Sequence, residues 1–226
     1  RGALEEAGRE SVGVRRAAHE RWWRDFWGRS WIFVSGELEA KPGPIVPGNE
    51  YPLRFGSDQS GGSRFSGEIG RVSLFPRALG EADLAALMAA AHDQPLPAGM
   101  GAVAGAMGAA ERVRWDDALG EAGALGIEAW VKMAAGDSRG GRIADKIKPG
   151  GGDGFLFDTH PGKGLRLIIG RRVLTTPLIL PVGRWVHLAA RAEGGGGRWR
   201  LFVHGAEVAA DGSPASDGNA ALAGQR

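Results

Sequence analysis

Between residues 125 and 210 the chain is a series of short apolar segments separated by glycine-containing turns. The segments read LGIEAWVKM, GRIADKI, DGFLFDTH, GLRLIIG, GRWVHLAARAE and RWRLFVHGAEV. Trp199 and Leu201 alternate with Arg200 and Phe202, and this period of two is typical of a β-strand. Since no helical pattern separates the segments, we expect an antiparallel sandwich of two β-sheets.

The composition fits a globular domain with many turns. Apolar residues make up 43% of the 226 residues, and 39 residues are glycine. There is no cysteine, so the fold contains no disulfide and no thiolate metal site. The formal net charge of +2 does not form a basic stripe, and we therefore expect no nucleic-acid binding.

Neither a membrane span nor a signal peptide is visible in the sequence. No apolar run approaches the roughly 18 residues that a transmembrane helix needs. Because the chain begins at Arg1, we expect it to be a mature form or a piece of a longer protein.

The N-terminal region predicts an extension of the sandwich. Trp22, Trp23, Phe26 and Trp27 have the spacing of one helix face, and a strand follows, so we expect residues 1–35 to form a helix and a strand. An exposed aromatic face of this size must dock on the sandwich or on another domain.

The middle of the chain predicts two strands, a short helix and a linker. The second strand covers Phe65–Phe75, and the helix follows it. Residues 94–110 are mostly small and carry no charge, which is typical of a linker, and we place the linker at residues 93–110. We expect one sandwich domain over residues 46–226, assembled from residues 46–92 and 111–210.

Four segments carry a family resemblance. They read IEAWVK at residues 127–132, GRWVHLA at 183–189, LFVHG at 201–205, and FSGEI through RAL at 65–79. They are similar to the strands TIEAWVK, GxWxHVA, LYVDG and FxGxIDxVRIYNRAL of the laminin-G-like jelly roll, a branch of the concanavalin A-like lectin/glucanase superfamily. The resemblance implies an all-β, two-sheet jelly-roll sandwich. To it the residue patterns add an N-terminal helix and one short helix after the Phe65–Phe75 strand.

The order of these segments departs from that family. The FxGxI strand closes the family's domain, whereas here it precedes the others. The chain is therefore either a circular permutant or a window across two tandem copies. We expect one sandwich in which the Phe65–Phe75 strand is central rather than at an edge.

A second resemblance concerns the context of the domain. Residues 19–32 are similar to a passage in large secreted bacterial glycoside-hydrolase-like proteins that carry such modules. Together the two resemblances imply a secreted, periplasmic or cell-surface protein.

The paired-carboxylate motif of glycoside hydrolases is missing from the sequence. Hydrolytic members of the superfamily carry paired carboxylates on one strand as ExDxxE, and this pattern does not occur here. Asp116 and Asp117 are adjacent and fit a solvated turn better than an acid–base pair. HExxH and phosphate-binding loops are also missing. The sequence favours a binding module over an enzyme.

Calcium is the cofactor that the sequence best accommodates, because such sandwiches bind it through Asp, Asn and carbonyl oxygens in loops. The candidate ligands are Asp58 and Asp153, followed by Asp158 and Asn49. In glycine-rich turns the alternative is that Asp only makes local hydrogen bonds to the backbone. His187 and His204 lie on neighbouring strands but lack a third zinc ligand, so we interpret them as structural.

Sugar binding requires an aromatic platform beside groups that hydrogen-bond hydroxyls. We expect Trp130, Trp185 and Trp199 to pack in the core. The candidate ligand-binding residues are Trp115, Arg142, Lys146, His160 and Arg172.

These observations lead to one functional hypothesis and two alternatives. The hypothesis is a non-catalytic, lectin-like carbohydrate-binding module of an exported bacterial protein. Its partner would be a polysaccharide or glycan, or another domain of the same polypeptide. The alternatives are a fragment or accessory domain of a glycoside hydrolase, and a structural or adhesion domain.

Overall fold

The protein is described by a computed structural model over residues 21–24, 30–34, 37–41, 44–100, 102, 104–107, 112–113, 122–135, 140–159, 164–211 and 222. The chain divides into two compact units, Arg1–Gly43 and Pro44–Arg226.

The first unit contains a three-stranded antiparallel sheet. Its strands, in spatial order, are β1 (Arg21–Arg24), β2 (Ser30–Val34) and β3 (Glu37–Lys41). Strand β2 confirms the strand that we expected here.

The predicted helix is wrong over β1, and its remainder lies outside the described residues. Trp22 stands opposite Ile32 and Trp23 opposite Trp31. Aromatic and β-branched residues favour such cross-strand pairs, and here the pairing overrides the helical spacing.

The second unit is a sandwich of two six-stranded antiparallel sheets, which confirms the all-β prediction. Sheet I contains, in spatial order, β12 (Arg172–Thr175), β11 (Arg166–Ile169), β10 (Phe155–Asp158), β9 (Arg142–Lys146), β4 (Leu53–Phe55) and β7 (Arg112–Val113). Sheet II contains, in spatial order, β15 (Ala206–Ala210), β14 (Trp199–Val203), β13 (Trp185–Glu193), β8 (Ala124–Met133), β5 (Gly67–Phe75) and β6 (Ala104–Met107).

The core lies between the two sheets and is built from alternate residues of their strands. Leu53 and Phe157 from sheet I, and Leu74, Ile127 and Leu201 from sheet II, are fully buried in it. Burying a large apolar side chain stabilises the fold by about 1.5–3 kcal/mol. The residues between them on each strand point to the outer faces, where the polar groups lie.

Two strands from the first half of the domain lie inside the sheets. Strand β5 pairs with β8 on one side and β6 on the other, and β4 lies between β9 and β7. The central position that we expected for the Phe65–Phe75 strand is therefore confirmed, and residues from both halves of the domain build one sandwich. Part of the predicted linker is strand β6 instead. The circular permutation itself stays a prediction.

The outer face of sheet II is covered by helix α1 (Glu81–Ala89), which confirms the short helix predicted after the strand. Leu84 and Leu87 pack against Phe75, Leu79 and Phe202. No helix among the described residues has the length and apolar character of a membrane span.

Charged side chains anchor the two ends of this helix. At its start, the Asp83 carboxylate accepts the backbone N–H of Gly80 at 2.8 Å. At its end, the Arg71 guanidinium donates to the carbonyl of Leu87 at 2.9 Å and forms an ion pair with Glu128 at 2.8 Å. Because carbonyls at a helix C-terminus carry partial negative charge, this cation holds α1 on the sheet.

Candidate ligand-binding site

An open cavity of about 900 Å³ lies beside the beginning of β5. One part of its lining comes from β4 and the turn that follows, with Arg54, Arg64 and Phe65. Another part comes from the segment after α1 and the first residue of β13, with His92 and Trp185. A cavity of this volume lies within the range of small-ligand sites.

The turn between β4 and β5 is closed by one carboxylate. The Asp58 side chain accepts the N–H of Ser60 at 2.9 Å and that of Gly62 at 2.8 Å. Burial acts to raise the pKa of Asp58, but hydrogen bonds from Ser60, Ser63 and Gly62 outweigh it and keep that pKa below its ordinary value. The turn thus forms a stable loop that places Arg64 at the cavity.

A stacked aromatic pair lies in the cavity lining. The rings of Trp185 and His92 are 4.0 Å apart between centroids and inclined by 18°. Gly70 allows this contact, because a Cβ at that position would lie 2.6 Å from the carbonyl oxygen of His92. Trp185 is partly exposed and lies on the outer face of sheet II, since its neighbours Val186 and Leu188 point into the core.

The two arginines of the cavity have no carboxylate partner among the described residues. Arg54 stands opposite Asp145 in the register of β4 and β9, but that carboxylate accepts the Gln59 amide at 2.7 Å and lies 3.3 Å from Nε of Arg142. Arg64 donates its Nε to the carbonyl of Gly61 at 2.9 Å. Burial raises the pKa of Asp145.

The cavity lining also contains two acidic residues, Glu68 and Asp93. Glu68 forms an ion pair with Lys132 at 2.9 Å, and the Lys132 ammonium also lies 6.0 Å from the centre of the Trp185 ring. Asp93 is exposed and accepts a hydrogen bond from the side-chain amide of Gln94 at 3.4 Å. The cavity therefore combines an aromatic surface with hydrogen-bonding groups of both charges.

A cluster of histidines lies on the same face of sheet II, around Trp130. Ring centroids of His92, His187 and His204 lie 6.4, 5.3 and 6.1 Å from that of Trp130. His187 is fully buried, and its Nε2 lies 3.3 Å from a carboxylate oxygen of Glu128. No group of three His, Cys, Asp or Glu residues in the described part of the chain could hold a metal ion.

A smaller cleft of about 460 Å³ lies between α1 and the β14–β15 hairpin. Met88 and Phe202 contribute apolar surface to it, and Arg200 and Glu207, which pair at 3.1 Å, contribute charge. Because these charges satisfy each other, the larger cavity is the better candidate for a ligand site.

The structure places three of the five predicted ligand-binding residues, and all three lie outside the larger cavity. Arg142 pairs with the buried Asp158 at 2.6 Å, and Arg172 pairs with Asp211 and lies 4.4 Å from the centre of the Trp199 ring. Lys146, the third of these residues, is buried. Trp115 and His160 lie outside the described residues. These assignments stay predictions.

Two of the predicted calcium ligands lie together around the ammonium of Lys146. The Asn49 amide donates to the carbonyl of Asp153, and Lys146 donates to the side-chain oxygen of Asn49 at 2.8 Å. Burial lowers the pKa of Lys146.

The other two predicted calcium ligands have separate partners. Asp58 closes its own turn, and Asp158 is held by Arg142 at 2.6 Å and Arg166 at 2.7 Å. The structure therefore does not gather the four candidates at one point, and calcium binding stays a prediction.

Sequence reasoning missed the aromatic surface of the cavity. Trp130 and Trp199 are 7% and 3% exposed, in line with the packing that we expected, whereas Trp185 is partly exposed in the cavity. The signal that could have found it is the alternation along β13, because the apolar Val186 and Leu188 assign the opposite face to Trp185. No local pattern indicates that His92 stacks on it, since that contact depends on tertiary structure.

Comparison with known proteins supports the fold. Residues 108–225, just over half of the chain, match a laminin G family model described as "Concanavalin A-like lectin/glucanases superfamily". No curated protein and no solved structure matches the chain.

Proposed function

Because the chain belongs to the concanavalin A-like lectin/glucanase superfamily, we propose that it is a non-catalytic carbohydrate-binding module of an exported bacterial protein. The observation that supports binding most directly is the partly exposed Trp185 in an open cavity of about 900 Å³. The apolar face of a sugar ring packs well on an aromatic ring, while nearby polar groups hydrogen-bond its hydroxyls.

The carboxylates of the cavity support binding rather than cleavage. Glycoside hydrolysis commonly uses two carboxyl groups that face the scissile bond about 5–10 Å apart. In the cavity, Glu68 is 62% exposed and paired with Lys132, and Asp93 is exposed. Asp145 and Asp158, which are buried in sheet I, are each in contact with Arg142.

Substitution of Trp185 tests this function. We expect Trp185→Ala to weaken retention on the preferred polysaccharide by about 10-fold or more in affinity gel electrophoresis, because the stacking surface is lost. Trp185→Phe keeps an aromatic ring and should restore much of the retention. Ile179→Ala, which changes a side chain that is 65% exposed and outside the cavity, is the control and should bind like the wild type.

The panel should contain neutral and acidic polysaccharides, each tested with and without calcium. Retention by none of them would overturn the proposal and favour a structural or adhesion domain. Retention that Trp185→Ala leaves unchanged would show that glycans bind elsewhere. Thermal unfolding of each variant verifies that a loss of binding is not a loss of fold.

A further inference from the structure

We propose that the ligand of the 900 Å³ cavity is an acidic glycan, a polysaccharide whose sugars carry carboxylate or sulfate groups. The inference rests on the proposed carbohydrate-binding function and names the class of ligand. It is carried by the two guanidinium groups of the cavity, neither of which has a carboxylate partner among the described residues.

Arg54 is the first of these groups. Its Nε atom is buried and has no hydrogen-bond partner, although the side chain as a whole is partly exposed. Buried polar atoms are rarely left unpaired, because each such atom loses its hydrogen bonds to water without replacement. An acceptor supplied by a ligand would satisfy this guanidinium.

The carboxylate that stands opposite Arg54 in the sheet has other contacts. Asp145 lies directly opposite Arg54 on β9, where a cross-strand ion pair would be expected. Its two carboxylate oxygens instead contact the Gln59 amide at 2.7 Å and Nε of Arg142 at 3.3 Å. Gln59 therefore helps to keep Arg54 available for a ligand, because the Gln59 amide binds a carboxylate oxygen of Asp145 that could otherwise face the arginine.

Arg64 is the second guanidinium. Only its Nε donates within the described residues, to the carbonyl of Gly61 in the same turn. That bond orients the side chain and leaves the two terminal nitrogens for a ligand. The planar fork of a guanidinium binds carboxylate and sulfate oxygens through two parallel hydrogen bonds, which a neutral hydroxyl does not match.

The negative charges of the cavity do not cancel these two cations. Glu68 is already paired with Lys132 at 2.9 Å, and Asp93 is the remaining carboxylate in the cavity lining. Two guanidinium groups without a carboxylate partner among the described residues thus share the cavity with one exposed carboxylate. The local potential favours an anionic ligand and repels a cationic one.

The aromatic pair distinguishes an acidic sugar from a free anion. Inorganic phosphate or sulfate would use the arginines alone, whereas a glycan would also place a sugar ring on Trp185, which lines the same cavity. We therefore expect binding to depend on both Arg54 and Trp185, with the acidic group at the guanidinium and the ring at the indole.

Affinity gel electrophoresis with a defined set of polysaccharides tests the inference. Polygalacturonate and alginate provide carboxylates, dextran sulfate provides sulfates, and amylose and galactan are neutral. We expect retention by at least one acidic polymer and weaker or no retention by the neutral ones. Each of Arg54→Gln and Arg64→Gln should weaken acidic retention by about 10-fold. The carboxylate and sulfate arms show which acidic group is preferred.

The control is Arg171→Gln, which removes the same charge from an exposed position outside the cavity and should leave retention unchanged. If Arg54→Gln proves unstable on thermal unfolding, Arg54→Lys replaces it, since it keeps the charge and loses the fork, and should also weaken retention.

Each outcome has a distinct meaning. Retention by neutral polymers only, or acidic retention that both cavity arginine variants leave unchanged, would overturn the acidic-glycan inference while the carbohydrate-binding function stands. Retention by no polymer would overturn the function itself. Equal losses in Arg171→Gln and the cavity variants would show non-specific charge attraction and would also overturn the inference.

Discussion

His204 occupies a position whose backbone conformation and burial are both unfavourable for a histidine. Its φ is +47° and that of Gly205 is +74°, and positive φ at both positions is typical of the type I′ hairpin turn between β14 and β15. Such positions favour Asn or Asp followed by Gly, and the related family strand LYVDG has Asp here. The Nδ1 atom of His204 is also buried and has no hydrogen-bond partner.

The titration of His204 makes the stability of the protein depend on pH. Burial lowers the pKa of His204, and the nearby His187 and Arg184 lower it further. Below about pH 6.5 the unfolded chain therefore takes up a proton more readily than the folded chain, and stability falls as the pH decreases toward the lowered pKa. His204→Asn should reduce this loss, because Asn does not titrate and tolerates the turn.

Urea unfolding at about pH 5 and about pH 8 measures this effect. We expect the difference in unfolding free energy between the two pH values to be smaller in His204→Asn than in the wild type. An equal or larger difference in the variant would contradict the assignment.

One feature of the candidate site could be predicted from the sequence, and two could not. Alternation along β13 contains the information that Trp185 points outward, because Val186 and Leu188 face the core. The stacking of His92 and the unpaired state of Arg54 do not follow from local pattern. Both depend on side chains far away in the sequence, among them Gly70, whose missing Cβ admits His92, and Gln59.

At the scale of elements, α1 depends on one buried ion pair. Arg71 is 2% exposed and Glu128 is fully buried, and Arg71 connects the strand to three carbonyls at and beyond the end of α1, those of Leu87, Ala91 and Gln94. The segment that follows the helix contains His92, so the docking of α1 also positions one surface of the cavity.

Arg71→Met therefore affects both stability and binding. It leaves the Glu128 carboxylate buried without its cation, and we expect a loss of about 3–5 kcal/mol in the free energy of unfolding. Hydrogen exchange should accelerate most over residues 81–94, because the helix end loses its anchor. Arg171→Gln, an exposed change, serves as the comparison. Unchanged exchange over residues 81–94 would contradict the anchoring role.

Strands and helices with a strong residue pattern of their own could be predicted from the sequence. Strands that form only because they pair with a neighbouring strand could not. The alternation before Phe75 and the apolar positions after Gly80 predicted β5 and α1 correctly. The aromatic spacing at Trp22 and Trp23 fitted a helix, yet strand pairing with β2 prevails there. The small residues Ala104–Met107 carry no strand signal of their own and become β6 only because β5 offers an edge.

At the scale of the whole molecule, the cavity joins two parts of the chain that are far apart in sequence. Arg54, Arg64 and His92 come from the first half of the sandwich domain, and Trp185 comes from the second half. The family match covers residues 108–225 and therefore includes only the tryptophan. The order of strands thus matters for the proposed site, because β4 and the turn between β4 and β5 bring Arg54 and Arg64 into the same sandwich as β13.

The central claim is that an acidic glycan binds in this cavity, and nuclear magnetic resonance measures it directly. The protein, labelled with ¹⁵N, is titrated with an oligouronide or a sulfated oligosaccharide that the gel assay selects. We predict that the shifted signals include the indole N–H of Trp185 and the Nε–H groups of Arg54 and Arg64. Shifts confined to other surfaces, such as those around Arg142 and Arg172, with the Trp185 signal unmoved at saturation, would contradict the claim.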